Sequence, residues 1–346
     1  MPSRVLLAAF LLALIACSPA APADGWVRHR QWSTQTEIIT LATTWPDVVR
    51  PGLELGVGFV RPEHAHIHPY ERPSTELFEL GEGEPLSVLL ILSTGHQSPY
   101  PVLVSAFLDY TQVVFSLDGK QGLLHYLEIE PGADMHIPIQ VPVDEPGWHD
   151  FFVTVFPSPE YHPTDPDERL PPSFGAGGRR AVICSGDRAV DGERLPTPLV
   201  GEPSAEERFD HEVMPLLPAD GRPPNERLLV VTSIPAGQPL DLELWAKNRT
   251  TADRQYVIIS LVDYHQVPFA GQKWLYLEMP AASELFLPGQ LPIPRPDGIY
   301  EVQFITVSDP YERIAHTSNP FVTSPMRSAV VVGESQLAAG AGTGSR

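Results

Sequence analysis

The chain has 346 residues, a formal charge of −20 and only two cysteines. Its 43 acidic against 23 basic side chains exclude the basic footprint that nucleic-acid binding needs. The same charge works against electrostatic attachment to anionic lipid, and 39 prolines leave little room for long helices.

The first predicted element is a targeting segment. One Arg precedes twelve apolar residues, Val5 to Ala16. That run is too short for a membrane span of about 20 residues and suits a signal-peptide core. It ends in Leu14-Ile15-Ala16-Cys17, which resembles a bacterial lipobox. The resemblance implies cleavage before Cys17, lipidation of its thiol and a mature lipoprotein in the cell envelope. Residues 1–16 are then the signal peptide, 17–34 a tether, and the lipid bilayer the first partner. The other reading is an ordinary cut after Ala23, in "APAD", which leaves a secreted protein.

Next comes "PEHAHIHPYE", from Pro62 to Glu71. His64, His66 and His68 recur at period two, so a strand would set all three imidazoles on one face. Such ligands suit zinc, copper or nickel. Same-face neighbours on a strand stand ~6.5–7 Å apart, however, which favours an exposed polar segment over a metal site. No cofactor is expected, and no catalytic residue is assigned.

From Gly83 onward the chain repeats itself. "FLDYTQVVF" from Phe107 returns as "LVDYHQVPF" from Leu261, which sets Asp109 and Asp263 154 positions apart. "YLEIEPG" from Tyr126 meets "YLEMPAA" from Tyr276, and "GWHDFFVTVFPSP" from Gly147 meets "GIYEVQFITVSDP" from Gly298. Last, "RAVICS" from Arg180 meets "SAVVVG" from Ser328. Ordered matches with loops of changing length indicate a duplicated domain of about 150 residues, far beyond the ~20–50 of solenoids and propellers.

The repeated runs are β-branched, aromatic and bounded by Pro and Gly, which predicts strands. In "IYEVQFITV", Tyr300, Val302, Phe304 and Thr306 share one face and Glu301 and Gln303 the other. That is the pattern of a strand with one face against a core. The expected fold class is all-β, with two tandem antiparallel β-sandwiches over 35–187 and 221–334. Asp109 and Asp263, with Gln112 and Gln266, are read as residues bonding local backbone where the chain leaves a strand, because a fold needs its turns in every copy and an active site only once.

"PDGIYEV", residues 296–302, resembles the start of strand F in immunoglobulin-like domains. "GQPLDLELWAKNRT" from Gly237 resembles the strand-B segment of bacterial immunoglobulin-like and cell-adhesion-related modules. The resemblance implies such a sandwich in each copy, with Tyr300 bonding back to the chain and Val302 facing the core. His149 and Phe151 occupy these places in the first copy. Cys184 aligns with Val332 and is read as a buried small hydrophobe.

The loop from Pro157 to Gly178 is acidic and Pro-rich, and Asp309 to Pro325 fills the same place in the second copy. Long loops often carry function, so Tyr161, Phe174, Tyr311 and Phe321 are the candidate ligand contacts. Asp165, Asp167 and Glu168 lack the spacing of a calcium loop. Residues 188–220 read as a semi-stiff acidic linker in which "FDHEVMPLL" can dock as an added strand, and 335–346 as a disordered tail. No G-x-S-x-G, H-E-x-x-H, Walker A or dinucleotide fingerprint occurs. The expected function is therefore an extracytoplasmic lipoprotein that binds or scaffolds an envelope protein or polysaccharide. The rivals are a metal-binding protein or enzyme built on His64, His66 and His68, and a plain spacer in the envelope.

Overall fold

A computed structural model describes residues 25–29, 55–67, 77–96, 98–131, 134–169, 175–186, 195–203, 213–293, 297–311, 321–324 and 326–333. Every regular element among them is a strand, apart from three-residue 3-10 turns such as Pro62–His64. The chain is all-β.

The apolar runs pair in the same way in each copy. In the first half, Leu86–Ser93 pairs with Asp134–Val141 and Gly56–Val60, and Tyr100–Leu108 with Gly147–Pro157 and Leu124–Ile129. In the second, Leu240–Asn248 pairs with Ser283–Leu291 and Val213–Leu216, and Arg254–Val262 with Gly298–Ser308 and Leu275–Met279. All these pairs are antiparallel. One short strand in each half instead runs parallel to the last strand: Leu77–Leu80 beside Ala176–Ser185, and Val231–Ile234 beside Ser328–Val332. Each half is a sandwich around its own apolar core.

The strand-F corner behaves as the resemblance implies. The Tyr300 hydroxyl donates to the Asp297 carbonyl at 3.3 Å, and Val302 is fully buried. His149 takes over this role in the first half: its Nε2 lies 2.8 Å from the Glu145 carbonyl, and Phe151 fills the core position. An imidazole reaches back to the chain as a phenol does.

The two halves do not behave as separate beads. Ala176–Ser185 pairs antiparallel with Phe321–Ser324, so the larger sheets of the two sandwiches merge into one sheet of fifteen strands. Its alternating side chains then serve three cores. On Gly147–Pro157, Phe151, Val153 and Val155 face the first sandwich, while Phe152 and Phe156 join a third cluster. On Gly298–Ser308, Tyr300, Val302 and Phe304 face the second sandwich, while Ile305 and Val307 join that same third cluster. Each such side chain contributes ~1.5–3 kcal/mol on burial, so the seam weighs comparably with either sandwich. The polar face of "IYEVQFITV" is buried too: Glu301 and Gln303 are each 1% exposed, and Arg169 and His162 of the other half meet Glu301.

Several spans depart from the sequence reading. Val27–Arg28, placed in the tether, is a strand parallel to Leu124–Ile129, held because Trp26 stacks on Tyr126. Leu199–Val200, placed in the linker, occupies the corresponding position beside Leu275–Met279. Val213–Leu216, inside "FDHEVMPLL", docks as the added strand, with all four residues buried. The linker reading is therefore corrected over 199–203 and 213–216. Cys17, residues 1–24 and the tail 335–346 lie outside the described residues.

The last strand also moves by one residue. Gly147 pairs with Ser185 and Gly298 with Val332, so Cys184 corresponds to Val331, not to Val332. A slip of one residue turns a side chain to the opposite face. Cys184 is accordingly half-buried on the outward face, and Ile183 is the residue in the core.

Candidate functional site

The repeated Asp-Tyr segments are the tips of two hairpins. Asp109 and Tyr110 have φ of 47° and 62°, and Asp263 and Tyr264 of 47° and 67°. Two successive left-handed residues form the tight turn that matches strand twist. Each Asp ties its tip to the neighbouring strand: the Asp150 amide donates to Asp109 Oδ1, and the Glu301 amide to Asp263 Oδ1, both at 3.0 Å. Both side chains bond backbone as expected, but on strands 41 and 38 positions away and not locally.

The Gln three positions beyond each Asp does not bond local backbone, which corrects the sequence reading: it reaches the other half. The Gln112 amide donates to Gln266 Oε1, and the Gln266 amide to Gln112 Oε1, both at 2.8 Å. Gln112 Nε2 donates to the Tyr264 carbonyl, and Gln266 Nε2 to the Tyr110 carbonyl. The contact is its own mirror under a two-fold exchange, the signature of an isologous interface. Aromatic rings flank it, with Tyr110 edge-on to Trp274 at 5.4 Å and Trp26 edge-on to Tyr264 at 5.9 Å.

Two buried acidic clusters complete the seam. Asp150 accepts from Arg180 Nε, from the Tyr110 hydroxyl at 2.6 Å and from the Tyr311 amide of the other half at 3.0 Å. Its counterpart Glu301 forms a two-pronged pair with Arg169 of the first half at 2.7 and 2.8 Å. His162 Nδ1 lies 2.8 Å from Glu301, and Arg327 Nε 3.1 Å. Each strand-proximal arginine also caps a carbonyl across the seam, Arg180 that of Ser308 and Arg327 that of Pro157, both at 2.9 Å. Burial alone would raise the Glu301 carboxyl, but Arg169, His162 and Arg327 outweigh it and hold the group below its usual range. Burial, aided by Asp150, pushes the Tyr110 hydroxyl well above its ordinary value. Tyr264 is raised chiefly by burial. Both phenols stay protonated donors.

The residues singled out in the sequence are placed as follows. His64 ends a 3-10 turn and His66 is exposed in the turn after it, so the histidines do not line one face of a strand; His68 lies outside the described residues. Among the described residues, no three His, Cys, Asp or Glu side chains gather as a metal site. Tyr161 is 49% exposed, its hydroxyl donating to Glu168 at 2.9 Å and its carbonyl accepting from Arg327. Tyr311 is half-buried, edge-on to Tyr110 at 5.4 Å. Phe174 and the Phe321 side chain lie outside the described residues. Tyr161 and Tyr311 thus both belong to the seam. An open cleft of about 900 Å³, lined by Glu79, Leu80, Glu82, Pro146 and Cys184, sits apart from it. Sequence reasoning missed Arg169, Arg180, Asp150 and Glu301. The signal was a charged residue inside each of two otherwise apolar strands.

No protein-family model matches the chain, and neither does any curated protein. Among solved structures, CBD12 from CALX1.2 aligns at 12% identity over 75% of this chain and 97% of that one, with a TM-score of 0.21. The C-terminal domain of the Streptococcus agalactiae AgI/II polypeptide BspA aligns at 8% identity over 80% and 99%, with a TM-score of 0.21. The E. coli alpha-2-macroglobulin aligns at 10% identity over 81% of this chain and 17% of that one, with a TM-score of 0.25. Likeness at this level carries no argument about activity.

Proposed function

We propose that the chain is a membrane-tethered binding or scaffolding module, held by lipid on Cys17 and presenting its joined sandwiches to an envelope protein or polysaccharide. One observation carries the non-catalytic reading. The groups that most resemble catalytic machinery, two buried carboxylates with tyrosines and arginines around them, hold the two halves together. The donors that meet the two carboxylates are the chain's own side chains and backbone. Fusion of two sandwiches at a third core also favours a stiff presenting surface over a reacting cleft. The test compares wild-type chain with Cys17→Ser for incorporation of labelled palmitate and for membrane fractionation, then crosslinks each in intact envelopes. Label and membrane association lost together with one crosslinked partner support the reading. Unchanged fractionation removes the tether, and a wild-type chain that crosslinks to nothing removes the binding role.

A further inference from the structure

The N-terminal strand enters the molecule at its middle. Trp26 is 7% exposed, stacks on Tyr126 of the first half at 5.9 Å, and meets Tyr264 of the second half edge-on at 5.9 Å. Val27 and Arg28 pair with His125 and Tyr126, and the Arg28 guanidinium lies 4.7 Å over the Tyr126 ring while bonding Glu160 at 2.7 Å. The His29 amide donates to the Tyr126 carbonyl at 2.9 Å. This strand is fixed by an aromatic plug, a backbone ladder and a cation on a ring. It cannot serve as slack.

Only nine positions separate Cys17 from Trp26. At ~3.3–3.6 Å per residue, a fully extended segment of that length reaches about 30 Å. We propose that the seam is the point at which the body is held to the bilayer, with the two sandwiches lying to either side of it close to the lipid surface. This rests on the reading that Cys17 is lipidated. It goes beyond that reading by giving the body a place and a posture. A stalk would be attached at the far end of one sandwich and would carry the other away from the membrane. Attachment where both halves touch Trp26 gives a platform, which argues against the plain-spacer alternative.

The two-fold relation makes the posture measurable. The exposed turns at Glu82-Gly83 and Ala236-Gly237 occupy corresponding places in the two halves. In full-length lipidated chain carrying Cys184→Ala, a donor dye is placed at Glu82→Cys or at Ala236→Cys. The protein is reconstituted into phosphatidylethanolamine–phosphatidylglycerol vesicles containing an acceptor-labelled lipid, and palmitate labelling is measured on the same samples. The expected result is energy transfer of equal efficiency from both turns. Inserting about ten flexible Gly and Ser residues between Pro22 and Ala23 is expected to lower both efficiencies without changing the melting temperature. Strong transfer from one turn and none from the other, with palmitate present, overturns the platform in favour of a stalk. Palmitate present with no transfer from either, or transfer unaffected by the insertion, also overturns it. Absence of palmitate instead refutes the lipid anchor, and the platform falls with it.

Discussion

Arg180 and Asp150 are 1% and 0% exposed at their side chains, and each leaves the other uncompensated if removed. Breaking such a pair costs about 3–5 kcal/mol, so Arg180→Ala should lower the thermal midpoint markedly; a change within about 0.5 kcal/mol, as at a surface site, would refute the assignment. A second expectation concerns acid. His29 and His125 lie 3.0 Å apart, and burial foremost lowers both from 6.5 to about 4. Their folded-state values lie below the unfolded ones, so the unfolded chain binds more protons between those limits. Stability should be full above pH 6.5 and fall as pH drops toward 4, and His29→Gln with His125→Gln should flatten that part of a melting-temperature profile. At this scale the Asp-Tyr pairs were legible, because a turn needs residues that accept positive φ. The destinations of the Gln side chains, 152 and 156 positions away, and of the Tyr hydroxyls, 40 and 105 positions away, were not, because no local pattern encodes a distant partner.

Gly178 shows how close the strands approach at the junction. A Cβ there would come 2.5 Å from the Val153 carbonyl oxygen and 3.0 Å from Val322 Cβ. Backbone cannot withdraw as a flexible side chain can, so Gly178→Ala should destabilise the joint, while Gly177→Ala, with open space around it, should not; paired melting curves separate the two. For the histidine segment the expectation is the reverse. Changing His64, His66 and His68 to Gln, or adding a chelator, should leave the melting temperature nearly unchanged, since a structural metal would supply folding energy. Stoichiometric zinc lost together with stability in that variant would refute this. Strand positions could be read from composition and alternation, yet "AVIC" and "AVVV" aligned one residue out of step. Apolar similarity alone cannot fix a register when both faces of a strand are buried. The strand at Val213–Leu216 was recognisable because apolar residues interrupt an acidic stretch, whereas Leu199–Val200 is too short to leave a pattern.

Across the whole molecule, the two sandwiches were legible and their union was not. Glu301 and Gln303 have the composition of a solvent-facing edge, yet both are buried, Glu301 against Arg169 and His162 of the opposite half. One merged sheet and a shared core should make unfolding a single cooperative transition, observable as coincident loss of signal from probes in each half. A protease site introduced between 187 and 194, once cut, should leave both halves bound together through a gel-filtration column. Elution as two separate species would mean that the seam is weaker than its contacts imply.

Joining two like units in one polypeptide has a consequence that reaches beyond stability. In a homodimer, any substitution at the two-fold contact appears on both sides at once and must tolerate itself. Here Phe152 stacks on Phe107 at 4.7 Å, while the matching place in the other half holds Gln303 beside Leu261. Asp150 likewise answers to Glu301, and the two carboxylates differ in length and in partners, Glu301 meeting Arg169 and His162 and Asp150 meeting Arg180 and Tyr110. In a fused pair each face can change without its counterpart changing with it, so the two sides of the contact need not stay identical.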